Sequence, residues 1–299
     1  MIDIEEVARG IYRLETLIPG EHTVFTVYFI KGDSDAIIDP GPASIIPDIE
    51  AAVKKLSLNN VEYIIPTHIH LDHAGGLGRL IQVFPQAKAV VNAHGARHAI
   101  DPARLVRSTK ISFGENFASL WGEIAPVPES RIRVVHDGDK LNVGGRQLTI
   151  FETPGHAPHH IAILDSETRG LFCGEVLGLV YLPDMPPLPA VTPPNFNLNA
   201  YLSDMERLRA LKPKVLYYAH GTVGRQPEIL ISAAVKSTHD LNGVVRRAMR
   251  DGKDEKAVID TAGDYLQQSF GQRPHINDLT SIIRAFIEYH KKRLGQHTL

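Results

Sequence analysis

The pattern of hydrophobic and polar positions predicts alternating strands and helices in the first part of the chain. Residues 22–30 (HTVFTVYFI) and 34–41 (SDAIIDPG) are predicted strands, because β-branched and aromatic residues dominate them. Residues 43–58 follow with helical spacing, and residues 61–67 (VEYIIPT) are a predicted buried strand. This order of elements predicts a partly parallel sheet that helices cover.

The next segments continue this alternation. Residues 75–86 are a predicted helix, residues 87–93 a predicted strand, and residues 101–128 a predicted mixture of loop and helix. The strand pattern then resumes, with NVGGR and SETRG as hairpin turns. A predicted helix at 199–211 and a predicted strand at 214–221 end this part of the chain.

Two segments depart from the alternation. Residues 181–199 hold six prolines in nineteen positions, which excludes a helix or a central strand and predicts a long ordered insertion. From about residue 226 the strand signal disappears, and the last segment carries an apolar stripe at helical spacing that must be buried. The stripe consists of Leu279, Ile282, Ile283, Phe286, Ile287, His290 and Leu294.

Composition narrows the class of protein. Of the 299 residues, 43% are hydrophobic and 22% charged, which is typical of a globular protein. The formal net charge of −2 favours neither a nucleic-acid partner nor a membrane partner. The single cysteine, Cys173, excludes an internal disulfide and is expected to be a small core residue. The acidic N-terminus and the absence of a long apolar run predict a cytoplasmic protein.

A cluster of metal-binding residue types follows the predicted strand at 61–67. The segment IIPTHIHLDHAGGLG contains His68, His70, Asp72 and His73. If the strand persists through residues 68–70, the side chains of His68 and His70 point the same way and can hold one metal ion. Asp72 and His73 then point towards a second ion, and these ligands suit zinc, iron or manganese. The alternative is an ordinary run of polar loop residues.

A pair of metal ions needs further ligands, and the sequence offers three more at predicted strand ends. His156 lies in TPGHAPHH, Glu175 in LFCGEVLG and His220 in LYYAHGTV. Each of these residues alone would be an ordinary loop or core residue. Their common position after strands is what predicts a shared metal site.

The motifs THIHLDH, TPGHAPHH, GE and AHG, together with IDPG at 38–41, resemble the metallo-β-lactamase superfamily in its glyoxalase II-like branch. The resemblance covers residues 10–225 and implies an α/β fold, a four-layer αββα sandwich with the site at one edge of its two sheets. The C-terminal helices resemble those of PqsE-like members. We therefore expect a catalytic domain over residues 1–225, with a helical extension over residues 226–299 that packs on it or forms a dimer interface.

The resemblance also implies roles for the ligands. Two divalent ions are expected, with zinc as the first choice and iron or manganese as alternatives, and Asp72 is expected to be catalytic as well as a ligand. The family usually bridges its ions with an aspartate in a Gly-Asp dipeptide, whereas this chain has Gly174–Glu175, so Glu175 either bridges the ions or binds one of them. The implied sets are His68, His70 and His156 for one ion, and Asp72, His73 and His220 for the other.

Three neighbouring residues have open roles. Asp39 either orients a ligand histidine or serves as a turn residue in its Asp-Pro-Gly sequence. His160 either orients a ligand or packs in a strand, and the role of His159 stays open.

The implied reaction is hydrolysis of an ester-like bond in a small-molecule substrate by a metal-bound hydroxide. A thioester or lactone is the first choice and a phosphoester the second. The alternatives are a mononuclear-iron persulfide dioxygenase and a non-enzymatic sensor or partner-binding module with a residual site. No glycine loop for phosphate and no cluster of lysine and arginine stands near the motifs. A homodimer is a further expectation.

Overall fold

The computed structural model describes residues 2–17, 24–180 and 185–296, without the side chains of residues 112–113, 276 and 294–296. The chain divides into two compact units. The first unit comprises Met1–Glu152, His159–Gly174 and Pro213–Arg225, and the second comprises Thr153–Pro158, Glu175–Lys212 and Gln226–Leu299. The division into domains at residue 225 that the sequence predicts stays a prediction.

The first unit contains a seven-stranded sheet in which the strands follow chain order. Its strands are β1 (Ile4–Ala8), β2 (Ile11–Leu17), β3 (Val24–Ile30), β4 (Asp35–Ile38), β5 (Val61–Ile65), β6 (Lys88–Asn92) and β7 (Ile132–Val135). The pairs from β1 to β4 are antiparallel and those from β4 to β7 parallel. The predicted partly parallel sheet is therefore confirmed. The predicted strand at 22–30 begins at Val24 here, and residues 22–23 lie outside the described part.

A six-stranded sheet completes the β structure described for the first unit. Its strands are β8 (Lys140–Val143), β9 (Arg146–Glu152), β10 (Ile161–Asp165), β11 (Gly170–Gly174), β12 (Val215–Tyr218) and β13 (Val223–Gly224), in the order β13-β12-β11-β10-β9-β8. Both predicted hairpins are present, since β8 pairs with β9 and β10 with β11. Gly144 and Gly145 both have positive φ, as the two-residue turn between β8 and β9 requires.

Six α-helices are described in the first unit. They are α1 (Ile46–Leu56), α2 (Leu71–Ala74), α3 (Leu77–Val83), α4 (Ala93–Ile100), α5 (Ala103–Phe113) and α6 (Phe117–Trp121). Helix α1 begins with a proline in its first turn and ends where Ser57 adopts the left-handed conformation. The helices predicted at 43–58 and 75–86 correspond to α1 and α3, and the mixture of loop and helix predicted at 101–128 contains α5 and α6.

The parallel strands are buried on both faces, which explains their continuous apolar sequences. In β5, Ile64 packs into a core cluster with Ile49 of α1, and its neighbour Ile65 packs into a second cluster with Ile163 of β10. The first cluster fills the space between the seven-stranded sheet and its helices, and the second lies between the two sheets. Successive side chains of one strand thereby join three layers.

The second unit is mainly helical. Its helices are α7 (Leu198–Ala210), α8 (Pro227–Arg250), α9 (Glu255–Phe270) and α10 (Ile276–Gln296). Residues 185–197 contain no helix and only one bridge to a neighbouring segment, between Leu188 and Leu179, as the proline-rich sequence predicts. Residues 181–184 of that insertion lie outside the described part.

The predicted apolar stripe lies on α10 and is buried. Its buried members are Leu279, Ile282, Ile283, Phe286 and Ile287. His290 is half-buried, and the side chain of Leu294 lies outside the described part. None of the helices in the described ranges is both long and apolar enough to cross a membrane.

Candidate metal centre

The histidine-rich segment begins where β5 ends. The condition that the strand persists through residues 68–70 is not met, because β5 ends at Ile65 and Pro66, which lacks a backbone N–H, follows it. His70 nevertheless keeps an extended backbone, with φ −61° and ψ 151°. The Nε2 atom of His68 lies 2.9 Å from the Nδ1 atom of His70, so the loop still brings this pair together. We call residues 66–74 the histidine loop.

Helix α2 turns the end of the histidine loop towards a second group of ligands. Asp72, His73 and His220 each offer one ligand atom, and these three atoms lie within 4.8 Å of one another. The Asp72 Oδ2 atom is 3.2 Å from His220 Nε2 and 3.4 Å from His73 Nε2. Five of the seven predicted ligands therefore lie together in the first unit, as one pair and one group of three.

Asp39 contacts the Nδ1 side of the His73 ring, opposite the Nε2 atom that faces Asp72. The Oδ1 atom of Asp39 accepts hydrogen bonds from the backbone N–H of Thr67 at 2.7 Å and from its hydroxyl at 2.9 Å, and it lies 3.1 Å from His73 Nδ1. A proton on Nδ1 leaves the Nε2 lone pair of His73 directed towards Asp72. This Nε2 atom is buried and has no hydrogen-bond partner among the described residues. A buried nitrogen of this kind fits a metal ligand.

The same network sets the tautomer of His68. The Thr67 hydroxyl has one proton and donates it to Asp39, so at 3.2 Å it can only accept from His68 Nδ1. The Nε2 atom of His68 then carries a lone pair. Asp39 thus supports two of the three histidines of the loop, His73 directly and His68 through Thr67, in addition to forming the turn that its φ of 49° indicates.

Electrostatic interactions within the second group shift the pKa values of His73 and Asp72. Burial alone would lower the pKa of His73, but the carboxylates of Asp72 and Asp39 outweigh it and hold that pKa well above its ordinary value. Burial likewise opposes ionisation of Asp72, but His73 and His220 hold the pKa of this carboxyl well below its ordinary value. Without an ion, a proton supplies the positive charge among these groups, and a divalent cation can replace that proton.

Phe25 of β3 fixes the positions of two ligand histidines. Its ring centroid lies 5.3 Å from that of His73 and 5.2 Å from that of His220, edge-on in both cases. Backbone bonds reinforce the arrangement, since the N–H of Thr26 donates to the carbonyl of Ala219 at 2.7 Å. His220 is therefore held at the junction of the two sheets.

Two further histidines stand behind the pair His68 and His70. The ring of His159 stacks on that of His68 at a centroid distance of 6.1 Å, with an interplanar angle of 7°. The ring of His160 lies 5.0 Å from that of His68. The backbone N–H of Ile69 donates to His159 Nδ1 at 3.4 Å. Both histidines thus contact the loop, His159 through backbone and ring and His160 through its ring.

Gly174, the last residue of β11, makes this close packing sterically feasible. A Cβ atom at this position would lie 2.5 Å from His160 Nε2 and 2.7 Å from Thr67 Oγ1. Its φ of 51° is also in the left-handed region, where a side chain costs free energy. Glycine is therefore required on two grounds.

The remaining predicted ligands, His156 and Glu175, lie in the second unit. The Nε2 atom of His156 is 3.0 Å from a carboxylate oxygen of Glu175, and its Nδ1 atom is 2.7 Å from the carbonyl of Ala190. A proton on Nδ1 donates to that carbonyl and leaves Nε2 as an acceptor. Two acceptors then face each other, and a shared cation stabilises such a pair. The Tyr201 hydroxyl donates to the backbone carbonyl of Glu175 at 2.9 Å and fixes the backbone position of that residue.

Asp204 of α7 positions the loop that carries His156. Its carboxylate accepts a hydrogen bond from the backbone N–H of Gly155 at 2.8 Å. Burial raises the pKa of Asp204 to about 6, although the bond from Gly155 and the charge of Arg207 oppose this. No sequence signal points to this residue, which lies in a helix far from every motif.

Cys173 is a core residue, as predicted. It is fully buried, burial raises the pKa of its thiol, and its Sγ atom donates to the carbonyl of Tyr217 at 3.2 Å. A thiol in this environment is a poor nucleophile.

Besides Asp204, sequence reasoning missed the supporting roles of Thr67, Gly174 and Phe25. Thr67 and Gly174 stand directly before the predicted ligands His68 and Glu175, and that adjacency was a usable signal. Phe25 lies in an apolar strand with no motif, so only the fold reveals its contact with the histidines.

Comparison with known proteins places the chain in a family. A family model described as the metallo-beta-lactamase superfamily matches residues 20–220. The metallo-beta-lactamase fold-containing protein ST1585 of Sulfurisphaera tokodaii is 29% identical over 202 residues, which are 66% of this chain and 73% of that protein. The acyl-coenzyme A thioesterase MBLAC2 of Homo sapiens is 27% identical over 180 residues, which are 50% of this chain and 57% of that protein.

A solved structure shows the same fold over nearly the whole chain. The metallo-beta-lactamase family protein TTHA1429 from Thermus thermophilus superposes with a TM-score of 0.73 at 21% identity, covering 96% of this chain and 95% of that protein. The predicted fold class, α/β with two sheets and added C-terminal helices, is confirmed. Since the family model also spans more than half of the residues, the chain belongs to the metallo-β-lactamase superfamily.

Proposed function

We propose that this protein is a metal-dependent hydrolase of thioesters. The observation that carries the proposal is the buried group of Asp72, His73 and His220, in which Nε2 of His73 has no hydrogen-bond partner among the described residues. A group of one carboxylate and two imidazoles, each held from behind, is a donor set that suits zinc, iron or manganese.

The proposed centre also includes the ligands of the second unit. His68 and His70 with His156 would hold one ion, and the group of Asp72, His73 and His220 would hold the other. Glu175 would bridge the two. Chain connectivity supports this assignment, because Glu175 is bonded directly to Gly174 and His156 stands three residues before His159.

When bound, the ions would supply a nucleophile from water at neutral pH and would polarise the substrate carbonyl. The side chains contribute position and charge. Asp72 is 22% exposed whereas His73 is fully buried, so the Asp72 carboxylate can accept a hydrogen bond from the attacking water and orient it. Water adds to the acyl carbon, the carbon–sulfur bond breaks, and the thiol leaves with a proton. No covalent intermediate on the protein is needed, which agrees with the inert Cys173.

The choice of a thioester rests on kinship and on the sequence resemblance. MBLAC2 is named as an acyl-coenzyme A thioesterase, and this chain spans a little over half of its length. The glyoxalase II-like motifs favour the same bond type. Hydrolysis of lactones or phosphoesters, persulfide oxidation, a non-enzymatic role, a homodimer and a cytoplasmic location stay predictions from the sequence.

Metal stoichiometry and thioester hydrolysis, measured together, test the proposal. Wild-type protein loaded with zinc, iron or manganese should hold about two ions per chain. Glu175→Gln keeps the size but removes the charge, and it should lose one ion with a drop in rate of about 10-fold to 100-fold. Glu175→Asp is the matched control, which should retain both ions.

Two results would contradict the proposal. If the loaded protein hydrolyses no thioester in a panel of short and long acyl groups, the assigned reaction is wrong. If Glu175→Gln binds two ions and hydrolyses at the wild-type rate, Glu175 is not a bridging ligand.

A further inference from the structure

Helices α4 and α5 carry an unusual excess of positive charge. The whole chain has a formal net charge of −2, yet residues 93–110 contain four cationic side chains and one carboxylate. That carboxylate, Asp101, is engaged locally, since its Oδ1 atom accepts from the backbone N–H of Ala103 at 3.0 Å. The four cations are Arg97, Arg104, Arg107 and Lys110, which we call the cationic rim.

The rim is exposed and lacks carboxylate partners. All four side chains are exposed, and in the described part of the chain none of them forms an ion pair with a carboxylate. Arg104, Arg107 and Lys110 follow one another at intervals of three residues, so they share one face of α5. Exposed cations on helices commonly pair with acidic neighbours, and this face offers its charge to solvent or to a ligand.

The first rim residue, Arg97, stands on a helix that packs against the histidine loop. Helix α4 packs against the loop at Gly95, where a Cβ atom would lie 2.8 Å from the side chain of Ile69 and 3.4 Å from that of His159. Ile69 stands between the ligands His68 and His70. The sequence shows no cluster of lysine and arginine beside the motifs, and the fold brings α4, with Arg97, onto the loop.

A small cavity lies between the histidine loop and helices α4 and α5. Ile69 and Leu71 of the loop line it together with His98 of α4 and Leu105 of α5. Its volume of about 20 Å³ admits no more than a water molecule, so it is a junction and not a substrate site.

Two rim arginines act electrostatically on His98, which lines this cavity. Arg97 Nε lies 3.2 Å from His98 Nε2. Burial lowers the pKa of His98, and the positive charges of Arg97 and Arg104 lower it further. The positive potential of the rim is thus felt at a residue that shares a cavity with the histidine loop.

We propose that the cationic rim binds the phosphate groups of a thioester whose carrier thiol is phosphorylated, as in coenzyme A. This inference rests on the proposed thioesterase function and names the substrate class of the same site. Guanidinium groups bind phosphate oxygens through paired hydrogen bonds, and three arginines with one lysine match a carrier with several negative charges. The long pantetheine arm separates thiol from phosphates, so the acyl carbonyl and the phosphates can occupy different surfaces.

Two thioesters with the same acyl group test the rim, namely the coenzyme A ester and the pantetheine ester, which lacks phosphates. The variant is the double substitution Arg104→Gln with Arg107→Gln. The matched control is Arg247→Gln with Arg250→Gln, two exposed arginines at the same spacing in α8. For the coenzyme A ester, the rim variant should raise KM about tenfold and leave kcat unchanged. Neither variant should alter KM for the pantetheine ester, and added salt should reduce the wild-type preference.

Several outcomes would overturn the inference. Equal KM values of the wild type for both esters, or an equal shift in the control and rim variants, would assign no phosphate site to the rim. If no thioester is hydrolysed, calorimetric titration with free coenzyme A still tests the rim, because binding that the rim variant loses supports the site. Absence of binding, or tighter binding of a single-stranded oligonucleotide than of coenzyme A, would reject it.

Discussion

Two loops of this protein each carry a histidine that is a predicted metal ligand, and a buried aspartate supports each loop in a different way. In the first unit, Asp39 touches the imidazole of His73 directly and also accepts two hydrogen bonds from Thr67. In the second unit, Asp204 accepts from the backbone N–H of Gly155, next to His156. Asp39 thus acts on the side chain of a predicted ligand, His73. Asp204 acts on the backbone next to another predicted ligand, His156.

The surroundings decide what each carboxylate contributes. Asp39 helps to raise the pKa of His73, so its negative charge is part of the electrostatics of the site. Asp204 has no imidazole or cation in direct contact in the described structure, and burial raises its own pKa to about 6. The same residue type serves as a charge partner of an imidazole in one loop, and in the other as a hydrogen-bond acceptor whose own pKa is raised by burial.

The surroundings of Asp39 and Asp204 also differ in packing density. Around Thr67, the side chains of Asp39, His68 and His160 meet so closely that Gly174 has no room for a Cβ atom. The support at Gly155 is a single hydrogen bond of ordinary length, 2.8 Å, between Asp204 and the backbone. Substitutions around Thr67 should therefore reduce the free energy of unfolding and the metal affinity more than substitutions at Asp204.

The largest effect is expected for Gly174→Ala. The new methyl group would approach His160 Nε2 to 2.5 Å and Thr67 Oγ1 to 2.7 Å, so the wall behind His68 must move. We expect a loss of about 3 kcal/mol or more in the free energy of unfolding, measured by urea denaturation, together with weaker metal binding.

Gly145→Ala provides the matched control for that substitution. Gly145 also has positive φ, but no atom lies within 4 Å of the added carbon. Gly145→Ala should lose about 1 kcal/mol in the free energy of unfolding, from backbone strain alone. Equal losses in the two variants would show that crowding around Thr67 contributes nothing.

An intermediate effect is expected for Asp39→Asn. The substitution keeps the shape but removes the charge beside His73, so affinity for the metal should fall about 10-fold to 100-fold in competition with a chelator. Asp35→Asn is the control, because buried Asp35 accepts only from backbone N–H groups of Gly32 and Asn60 among its described partners. That control should lose stability but keep its metal affinity. An unchanged affinity in Asp39→Asn would remove the charge role assigned to Asp39.

The sequence predicts the strongly patterned elements of the fold and misses the ambiguous ones. Strands β3 to β6 are recognisable because both faces are apolar. In β2, Ile11 and Leu14 are buried three positions apart, a spacing that fits a helix as well as a strand. The pairing of β2 with β1 on one side and with β3 over seven residues on the other decides its conformation, and the contact with β3 is not visible locally.

For the site, the sequence indicates candidate ligands but not the residues that hold them. His68, Glu175 and His220 stand near strand ends within recognisable motifs. Phe25 and Asp204 act through contacts between segments far apart in the chain, and neither lies in a motif. The cationic rim is missed for the same reason, because only the packing at Gly95 shows that α4, with Arg97, lies against the histidine loop.

The smallest effect is expected for Asp204→Asn, and it concerns pH. The pKa of Asp204 is about 6 in the folded chain, against an ordinary value of about 3.9 in the unfolded chain. A raised carboxyl pKa means that the folded state holds the proton more tightly. The stability linked to this proton is therefore complete below about pH 4 and is lost as the pH rises through about 6. Allowing for partial exposure to solvent, the loss is on the order of 1 kcal/mol.

Asparagine keeps an oxygen that accepts from the N–H of Gly155 but cannot ionise, so the variant should not show this loss. Urea denaturation at about pH 5 and pH 8 measures it, and at the higher pH the variant should be more stable than the wild type by about 1 kcal/mol. Metal affinity at that pH should stay close to that of the wild type, unlike that of Asp39→Asn, because Asp204 acts on the backbone beside His156 and not on its imidazole. A parallel pH dependence in variant and wild type would show that Asp204 is ionised throughout. The two aspartates would then differ only in the group they contact and not in their charge.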